Sequence, residues 1–466
     1  TKQPAWRRAI RFIREALNDS NTDFTTGSTG RALGLLAVPM MLEMSMEAIF
    51  AVVDIAFVSR LGMNAIAAVG ITEALITVLY AIAIGLGMGV TAMVSRRIGA
   101  KNPDGAAMVT GQAIWVGAAL SIVIGVFGAV YADELLYMMG VSDAVVETGR
   151  GFTAVLLGGS ASILFLFLLN AAFRGAGDAP VALRALVLAN SINIVLDPCL
   201  IFGLGPFPEL GVTGAAVATT IGRTTGVLYL AYRLGAPGSR LNLELRHLAI
   251  HSRLILRMMQ ISIGGIGQFL IATSSWIAIM RVVALYGSAP IAAYTIAIRM
   301  LEFAFLPAWG LGNAAATLVG QNLGAGRADR AEQTVKQAAR YNTAFMAALG
   351  LGLVVLAPQV VGLFTGDPEI LRHGIVCLRI LGIGFPLYAV GMIMIQALNG
   401  AGDTRTPSVL NFICFWTLQI PLAYWLAQSV GLGPTGVFIA IVVSESILSV
   451  LGLIVFRRGA WKTQLA

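Results

Sequence analysis

Long apolar runs alternate with short polar stretches along most of the chain, from residue 34 to residue 456. A helix that crosses a bilayer needs about 20 predominantly apolar residues, and most of these runs have that length. We therefore predict an all-α polytopic membrane protein with about 12 transmembrane helices. The predicted helices lie near residues 34–58, 64–95, 106–130, 146–172, 181–203, 211–233, 259–286, 289–319, 336–358, 372–398, 407–428 and 434–456.

The composition also indicates a membrane protein. Of the 466 residues, 57% are hydrophobic and 12% are charged, whereas soluble domains usually carry about a quarter charged residues. The three cysteines, Cys199, Cys377 and Cys414, lie in apolar runs without the spacing of a metal site. We therefore interpret them as small buried hydrophobes.

The positive charges are concentrated in every second connection between the predicted helices. These connections contain Arg96, Arg97 and Lys101; Arg174 and Arg184; Arg233, Arg240, Arg246, Arg253 and Arg257; Arg327, Arg330, Lys336 and Arg340; and Arg405. Basic residues collect in cytoplasmic loops. We therefore predict a multi-pass protein of the plasma (bacterial inner) membrane with both termini in the cytoplasm. The net charge of +8 then reflects topology, and no nucleic-acid partner is expected.

An internal repeat divides the chain into two pseudo-symmetric six-helix lobes. Three pairs of similar segments share an offset of about 225 residues: 66–69 with 291–294, 97–101 with 322–326, and 173–178 with 398–403. Six is an even number, so the two halves run parallel, as in one class of secondary transporter. The predicted domains are a cytoplasmic N-terminal segment (1–33), an N-lobe (34–233), a cytoplasmic linker with an amphipathic helix (234–258), a C-lobe (259–456) and a cytoplasmic tail (457–466).

Two segments outside the lobes have distinctive patterns. Residues 6–14 form a short basic amphipathic stretch, typical of a helix at the lipid headgroups, with a disordered tail as the alternative. In the linker, His247 and His251 are four residues apart and could bind a metal. Two interfacial histidines explain the pair better, because no further ligand is near in sequence.

The fifth predicted helix carries polar side chains where an apolar run would be expected. Asn190, Asn193 and Asp197 share one helix face, because residues three, four and seven apart are neighbours. An ionisable residue inside a membrane-length helix is costly and is usually functional. This face is therefore our candidate for part of a cation-binding site.

The first predicted helix carries three acids on one face, Glu43, Glu47 and Asp54. In an apolar setting they must be protonated, paired or ion-bound. A rise of about 1.5 Å per residue places Asp54 and Asp197 at similar depth in the outer half of the N-lobe, with Thr219 near that level.

Carboxylate, amide and hydroxyl oxygens gathered at one depth suit a proton or a hard cation such as Na⁺. The predicted cation-binding residues are Asp54, Asn193, Asp197 and Thr219. The predicted accessory cation or substrate residues are Glu43, Glu47, Asn190 and Thr220. A structural hydrogen-bond network between helices is the alternative.

Other polar or helix-breaking positions leave alternatives open. Pro39 removes a backbone hydrogen bond from the first helix and could be a conformational hinge or a static kink. Arg223 and Glu445 occupy matching positions in the two repeats and could pair across the lobes or each within its own lobe. Glu302 and Glu445 could instead line a substrate cavity.

Motifs typical of enzymes are absent from the sequence. It contains no Gly-x-x-x-x-Gly-Lys-Ser/Thr loop, no Gly-x-Ser-x-Gly and no His-Glu-x-x-His. We therefore predict no enzymatic activity, no cofactor, and no metal beyond possible Na⁺ at the cation site.

Several short motifs, spread over both repeats, resemble the MATE (multidrug and toxic compound extrusion) family. They are Val53 and Asp54 followed by Arg60, Leu61, Gly62 and residues 65–70; Arg174, Gly175, Gly177 and Asp178; Asn193, Asp197 and Pro198; Gly211, Val212, Gly214 and residues 215–219; and residues 320–326. The resemblance covers nearly the whole chain and is strongest to the DinF-like branch.

This resemblance implies twelve helices in two lobes and cation-driven efflux of organic compounds. It implies a cation site in the N-lobe, which corresponds here to Asp54, Asn193, Asp197 and Thr219, and bending of the first helix at Pro39. The NorM-like branch places acids in the seventh and tenth helices, and the corresponding helices here contain none.

The combined hypothesis is a multidrug-efflux antiporter driven by H⁺ or Na⁺, with the coupling ion in the N-lobe. It would export organic, cationic or amphipathic xenobiotics by alternating access. The expected partners are small organic substrates and membrane lipids, and the chain is expected to act as a monomer. The alternative is a lipid-linked-precursor flippase of the same superfamily, which predicts a cavity rich in Arg or Lys and helices beyond twelve.

Overall fold

The computed structural model describes residues 5–18 and 22–464, in which every regular element is helical. The first half contains α1 (Ala5–Leu17), α2 (Thr29–Val58), α3 (Met63–Gly99), α4 (Pro103–Val130), α5 (Ala132–Met138), α6 (Asp143–Gly158), α7 (Ser160–Ala176), α8 (Ala179–Phe202) and α9 (Val212–Gly235). The second half contains α10 (Ser252–Ala284), α11 (Ser288–Gly324), α12 (Ala328–Gly362), α13 (Pro368–Gly400), α14 (Arg405–Asn411), α15 (Ile420–Tyr424) and α16 (Pro434–Arg458).

The helices have the length and composition of a polytopic membrane protein. Ten spans among the described residues are long and apolar enough to cross a membrane, and the bent pair α6 and α7 makes an eleventh. Helix α9 has 24 residues, which is long enough to span, but Thr219, Thr220 and Arg223 make it more polar. The predicted all-α polytopic fold is therefore confirmed.

The fourth predicted span, 146–172, is not one straight helix. It consists of α6 and α7, which are bent by 41° at the break between them. Gly158 and Gly159 lie at this break, and glycine is the residue that most weakens a helix interior other than proline. A Cβ added to Gly159 would lie 2.8 Å from the Thr220 side chain of α9, so the break also allows α9 to approach closely.

The eleventh predicted span, 407–428, corresponds to Arg405–Ser429 and is irregular. Two π-helical stretches, Phe412–Gln419 and Trp425–Ser429, flank α15. Pro421 lies in α15 and has no backbone N–H, so the regular α-helical hydrogen-bond ladder is interrupted there.

The helices pack in two groups that follow the internal repeat. In the N-lobe, α3 contacts α4, α6 and α7, and α8 contacts α9; in the C-lobe, α13 contacts α11, α12 and α16. Each group has a hydrophobic core of its own. Helix α2 contacts both α8 of its own lobe and α11 of the other. It therefore connects the two groups.

Both ends of the described chain and every second connection lie at one end of the bundle, which we call the terminal face. Here Asp23 pairs with Lys101 at 2.6 Å, and Lys462 pairs with Glu332 at 2.6 Å. The linker also lies at this face, because Arg240 donates a hydrogen bond to the Ala176 carbonyl at 3.1 Å.

The two lobes meet tightly at the terminal face. A Cβ added to Gly99 would collide with the Gln321 backbone, and a Cβ added to Gly324 would collide with the Arg96 carbonyl. Gly99 and Gly324 are 225 residues apart and occupy equivalent positions in the repeat. The ends of α3 and α11 thus cross in a pseudo-symmetric contact that has no room for side chains.

The linker contains less helix than the sequence suggested. Helix α9 ends at Gly235 and α10 begins at Ser252; between them the structure has one 3-10 turn, Leu245–Leu248. This turn is held by contacts to α4, where Trp115 Nε1 donates to the Leu248 carbonyl at 2.8 Å. In place of the predicted amphipathic helix, the linker has this turn packed against α4. Residues 252–258, which were assigned to the linker, belong to α10.

The linker histidines do not form a metal site. His247 is buried, its Nδ1 accepts from the Glu244 backbone N–H at 3.0 Å, and its Nε2 lies 3.5 Å from Asp104 Oδ1. His251 Nδ1 contacts the Ala249 carbonyl at 2.7 Å. In residues 5–18 and 22–464, no group of three or more His, Cys, Asp or Glu side chains is arranged to hold a metal.

Candidate ion and substrate sites

The close contact between α8 and α9 positions the predicted cation-binding residues. A Cβ added to Gly222 of α9 would lie 2.5 Å from the Ala189 carbonyl and 3.1 Å from Asn193 Cβ on α8. Small residues on the facing surface allow two membrane helices to approach in this way. The side chain of Thr219, one turn before Gly222, therefore faces Asn193.

Asn193, Asp197 and Thr219 form a buried hydrogen-bonded group. In the amide orientation that satisfies every group, Asn193 Nδ2 donates to Asp197 Oδ2 at 2.9 Å, and Asn193 Oδ1 accepts from Thr219 Oγ1 at 2.9 Å. Asp197 is 0% exposed, Asn193 2% and Thr219 8%. A buried carboxylate held by a neutral amide still needs a proton or a counter-ion.

Asp54 of α2 lies beside this group. The carboxylates of Asp54 and Asp197 are close enough to interact electrostatically. Asp54 Oδ1 is buried, and no residue in the described part of the chain forms a hydrogen bond with it. The structure therefore brings together all four residues of the predicted cation site, and Asp54 contributes a buried oxygen without a hydrogen-bond partner among the described residues.

Arg223 of α9 is half-buried, and its hydrogen-bond partner was not predicted from the sequence. Its Nη2 donates to the Tyr80 hydroxyl at 2.7 Å, and its charge interacts with those of Glu47 and Asp54. Arg223 thus pairs within its own lobe and not with Glu445. The sequence did not indicate a role for Tyr80, because a single tyrosine in an apolar helix is usually part of the packing.

A cavity of about 210 Å³ lies between the lobes on the N-lobe side, and the predicted accessory residues Glu43, Glu47 and Asn190 line it. Arg174 Nη1 donates to Glu43 Oε1 at 3.1 Å. Glu43 Oε2 is buried without a hydrogen-bond partner among the described residues. The cavity therefore retains an unused polar atom.

The N-lobe cavity is not the negative wall that two glutamates in an apolar helix suggest. Arg174 and Arg223 line it together with Glu43 and Glu47, so its formal charges balance. The sequence had indicated Arg174 as a topology signal and as part of a family-like motif but not as a cavity residue, because it lies at the end of α7 beside a connection.

The remaining predicted residues lie outside this cavity. Thr220 donates to the Ala216 carbonyl at 2.8 Å and packs against Gly159. Pro39 lies inside α2, next to Met40 and Met41, whose backbone contacts Gly310 of α11. Pro39 is therefore adjacent to a contact between the lobes.

A larger cavity, of about 510 Å³, lies on the C-lobe side. Glu302 and Glu445 supply its two carboxylates. Phe305 and Tyr388 stack with ring centroids 4.6 Å apart. The cavity is also lined by the aromatic residues Trp276, Trp309 and Phe415.

The Glu445 carboxylate, like that of Glu302, forms no ion pair with any described residue. Aromatic faces and unpaired carboxylates are the groups that recognise organic cations. The C-lobe cavity thus differs in chemistry from the charge-balanced N-lobe cavity.

Comparison with known proteins agrees with the helical plan and the repeat. The MatE family sequence model matches residues 39–199 and 266–425. The chain is similar to the probable multidrug resistance protein NorM of Thermotoga maritima (26% identity over 431 residues, 92% of each protein). It is also similar to the FAD transporter of Shewanella oneidensis (25% identity over 394 residues, 84% of this chain and 87% of that protein).

A solved structure of a known transporter is also similar to this chain. The outward-facing conformation of a multidrug resistance MATE family transporter of the MOP superfamily superposes with a TM-score of 0.88 and 28% identity, over 95% of this chain and 100% of that one. The two MatE matches together span more than half of the chain, one in each lobe. The protein therefore belongs to the MATE family: it is a multi-pass membrane transporter of the multidrug-efflux class, which moves small organic compounds and is not an enzyme.

Proposed function

We propose that this transporter is an antiporter in which H⁺ or Na⁺, bound at Asp54 and Asp197, drives the export of organic compounds. The observation that carries the proposal is the buried Asn193–Asp197–Thr219 group with the unsatisfied Asp54 Oδ1 beside it. Two neighbouring carboxylates in an apolar helix bundle repel each other when both are charged. A proton or a small hard cation removes that repulsion and uses oxygen ligands that are already gathered.

Helix α2 connects the proposed ion site with the contact between the two lobes. Asp54 lies near one end of α2, and Met40 and Met41 near its other end contact Gly310 of α11. Pro39 precedes this contact and interrupts the backbone hydrogen bonds of α2. We propose that neutralising Asp54 changes the preferred shape of α2 at Pro39 and thereby changes the contact between the lobes. Coupling requires only that ion and substrate prefer different shapes.

The proposed orientation follows from the basic residues. Arg and Lys are concentrated in the connections of the terminal face, so we place this face and both termini in the cytoplasm. The tight contact at Gly99 and Gly324 then closes the cytoplasmic end. We propose the N-lobe as residues 34–233 and the C-lobe as 259–456, which alternate access by moving against each other within a monomer.

The C-lobe cavity is the proposed site for cationic and amphipathic substrates. Its aromatic walls accept varied apolar groups, and Glu302 and Glu445 attract a positive charge. A flippase for lipid-linked precursors is disfavoured, because phosphate recognition needs free Arg or Lys. In the described residues, the cavity arginines Arg174 and Arg223 are already engaged by Glu43 and Tyr80.

The experiment is efflux of a fluorescent organic cation from proteoliposomes with an imposed ion gradient. Asp54→Asn and Asp197→Asn each keep the side-chain shape but remove the charge, and both should abolish gradient-driven efflux. Glu209→Gln is the matched control, because Glu209 lies in the exposed 203–211 connection. Undiminished efflux in both aspartate variants would disprove the site.

The identity of the coupling ion needs a second measurement on the same proteoliposomes. Transport is recorded with a pH gradient alone and with a Na⁺ gradient alone. A proton-coupled protein responds only to the first, and a Na⁺-coupled protein only to the second. Equal transport without any gradient would contradict antiport of either ion.

A further inference from the structure

Helix α1 has two faces with different environments. Ala16 is 3% exposed and Phe12 packs against Gly34 of α2, so one face is held against the protein. Trp6, Ile10 and Ile13 lie at i, i+4 and i+7 on another face and are 58%, 58% and 44% exposed. Such a row of large apolar side chains is unusual outside a binding surface.

The charges around this apolar row are nearly all positive. Helix α1 contains four arginines, at positions 7, 8, 11 and 14, and one acid, Glu15. Glu15 pairs with Arg31 at the start of α2, so its charge is not available to balance the arginines. The exposed surface of α1 therefore combines apolar anchors with positive charge, as in helices that lie on anionic bilayers.

The position of α1 determines what its exposed surface can contact. Arg184 Nη2, near the start of α8, donates to the Leu17 carbonyl at 2.8 Å, which holds α1 beside the ends of α2 and α8. Both are spanning helices, so the apolar row lies at the level where the bundle enters the bilayer.

We propose that α1 binds the anionic headgroups of the bilayer that the protein crosses. Trp6, Ile10 and Ile13 insert at the boundary of the acyl chains, while Arg7, Arg8 and Arg14 contact lipid phosphates. The proposal depends on the proposed orientation only for the choice of leaflet.

The test uses a spin label at Ile10→Cys in a cysteine-free background (Cys199→Ala, Cys377→Ala, Cys414→Ala) whose transport is first confirmed. The purified protein is reconstituted in phosphatidylcholine alone and in phosphatidylcholine with phosphatidylglycerol. We expect the label to become several-fold more accessible to O₂ than to a water-soluble nickel complex only in the anionic bilayer, and Arg7→Gln with Arg8→Gln to abolish the change.

Two outcomes would overturn this proposal. One is equal accessibility in both bilayers. The other is dipolar broadening between labels, which would mean that a second copy of the chain covers the face. Because transport is measured on the same samples, loss of lipid contact with normal efflux separates this proposal from the antiport mechanism.

A second, independent observation concerns residues 22–28, which follow α1 and lie across the junction of the lobes. Lys101 of the N-lobe pairs with Asp23 at 2.6 Å, and the guanidinium of Arg240 in the linker lies 5.4 Å from the centre of the Phe24 ring. Arg240 also donates to the Thr22 carbonyl at 2.8 Å. Phe24 is 3% exposed, so the segment is built into the terminal face.

The C-lobe grips the same segment through backbone carbonyls. Arg327 Nη1 donates to the Thr25 carbonyl at 2.8 Å. Arg330 donates to the carbonyls of Gly27 at 2.6 Å, Thr26 at 2.7 Å and Phe24 at 3.2 Å. Separation of the lobes at this face must break these bonds or move the segment with the C-lobe.

We infer that residues 22–28 act as a clasp that favours closure of the terminal face. The clasp keeps its charge over a wide pH range, because the hydrogen bond from Lys101 holds the pKa of Asp23 at about 2, below its usual value. The Asp23 contribution is therefore complete above the ordinary pKa of about 4 and is lost only as the pH falls towards 2.

The test measures how often the closed face opens. Ser95 is 0% exposed at the lobe contact beside Gly320, so Ser95→Cys in the cysteine-free background reports opening by its rate of maleimide alkylation. We expect Arg330→Gln, and separately Phe24→Ala, to raise this rate several-fold. Arg340→Gln is the control, because Arg340 is exposed on the same helix, away from the clasp.

Unchanged alkylation in both clasp variants would overturn the inference. A rate increase in the Arg340→Gln control as large as in the clasp variants would also overturn it, because the effect would then reflect general loss of positive charge. Alkylation is measured without an ion gradient, so its result does not depend on the proposed coupling.

Discussion

Residues 211–214 and 433–436 are similar and are 222 residues apart, slightly less than the offset of the other repeat segments. At this shorter offset, Asp197 in the N-lobe corresponds to Gln419 in the C-lobe. Both side chains are buried, at 0% and 3% exposed. Gln419 Oε1 accepts a hydrogen bond from Ser444 at 2.7 Å, so a neutral pair satisfies this position. Asp197 has a similar neutral partner in Asn193 but keeps a charge that the amide cannot neutralise. The corresponding helices of the two lobes thus hold a neutral hydrogen-bonded pair in the C-lobe and an acid in the N-lobe.

The two cavities also differ in their charges, but here the unpaired acid lies on the C-lobe side. On the N-lobe side, Glu43 is paired with Arg174, and Arg223 is engaged by Tyr80. On the C-lobe side, Glu445 lies among aromatic residues. The comparison suggests a division of labour, with the driving ion in one lobe and the charged part of the substrate against the other. Each lobe is then free to bind its ligand without direct competition.

The largest effect on efflux should come from exchanging the acid at position 197 and the amide at position 419. Asp197→Asn combined with Gln419→Glu keeps one buried acid but moves it to the C-lobe. We expect gradient-driven efflux to fall to the level of protein-free liposomes, because an acid at the C-lobe position lacks the Asn193 and Thr219 partners of the N-lobe site. Efflux in proteoliposomes measures this, with Gln419→Glu alone as the control for tolerance of the added acid. Restored efflux in the double variant would show that the lobes are interchangeable.

A smaller effect is expected at the C-lobe cavity. Glu445→Gln should raise KM for a cationic substrate about tenfold, equivalent to about 1.4 kcal/mol, because one attractive charge is lost. The KM for an uncharged substrate of similar size should change little. Initial transport rates for the two substrates test this, and equal changes for both would contradict an electrostatic role.

The packing of α8 on α9 gives a prediction for stability. Gly222→Ala should reduce stability by about 1–3 kcal/mol, because the added methyl group must displace the Ala189 carbonyl or the Asn193 side chain. Thermal unfolding in detergent measures the loss. Gly235→Ala is the matched control on the same helix, since nothing lies within 4 Å of a Cβ there. An equal loss in the control would show that the loss does not come from the contact between α8 and α9.

The smallest effect concerns the outer hydroxyl of the cation site. Thr219→Val keeps the shape but removes the hydrogen bond to Asn193, which should weaken ion binding by about 1 kcal/mol. The measurement is the dependence of efflux on the concentration of the driving ion. Thr225→Val, which removes an exposed hydroxyl of the same helix, should leave that dependence unchanged. A Thr219→Val curve identical to the unmodified protein would remove Thr219 from the site.

Much of the fold followed from the sequence, because membrane helices are constrained by length and polarity. The repeat offset predicted the equivalence of Gly99 and Gly324, and helix periodicity placed Asn193 and Asp197 on one face. The bend between α6 and α7 was not predicted, because Gly158 and Gly159 serve equally well as packing residues in a straight helix.

Side-chain partners were harder to predict than positions. Depth counting predicted that Asp54, Asp197 and Thr219 lie at one level. It could not reveal the pairing of Glu43 with Arg174, since a basic residue beside a loop has the same sequence pattern whether it faces water or turns inward. The π-helical stretches around Pro421 also depend on packing between helices that no local pattern records.

The crossing of α3 and α11 has a consequence for the energy stored across the membrane. Backbone meets backbone at Gly99 and Gly324, so no side chain fits between the ends of α3 and α11. In the proposed antiporter, such a contact serves as a seal that limits leakage of the driving ion past the closed end. The proposed ion gradient is then used through movement of the lobes.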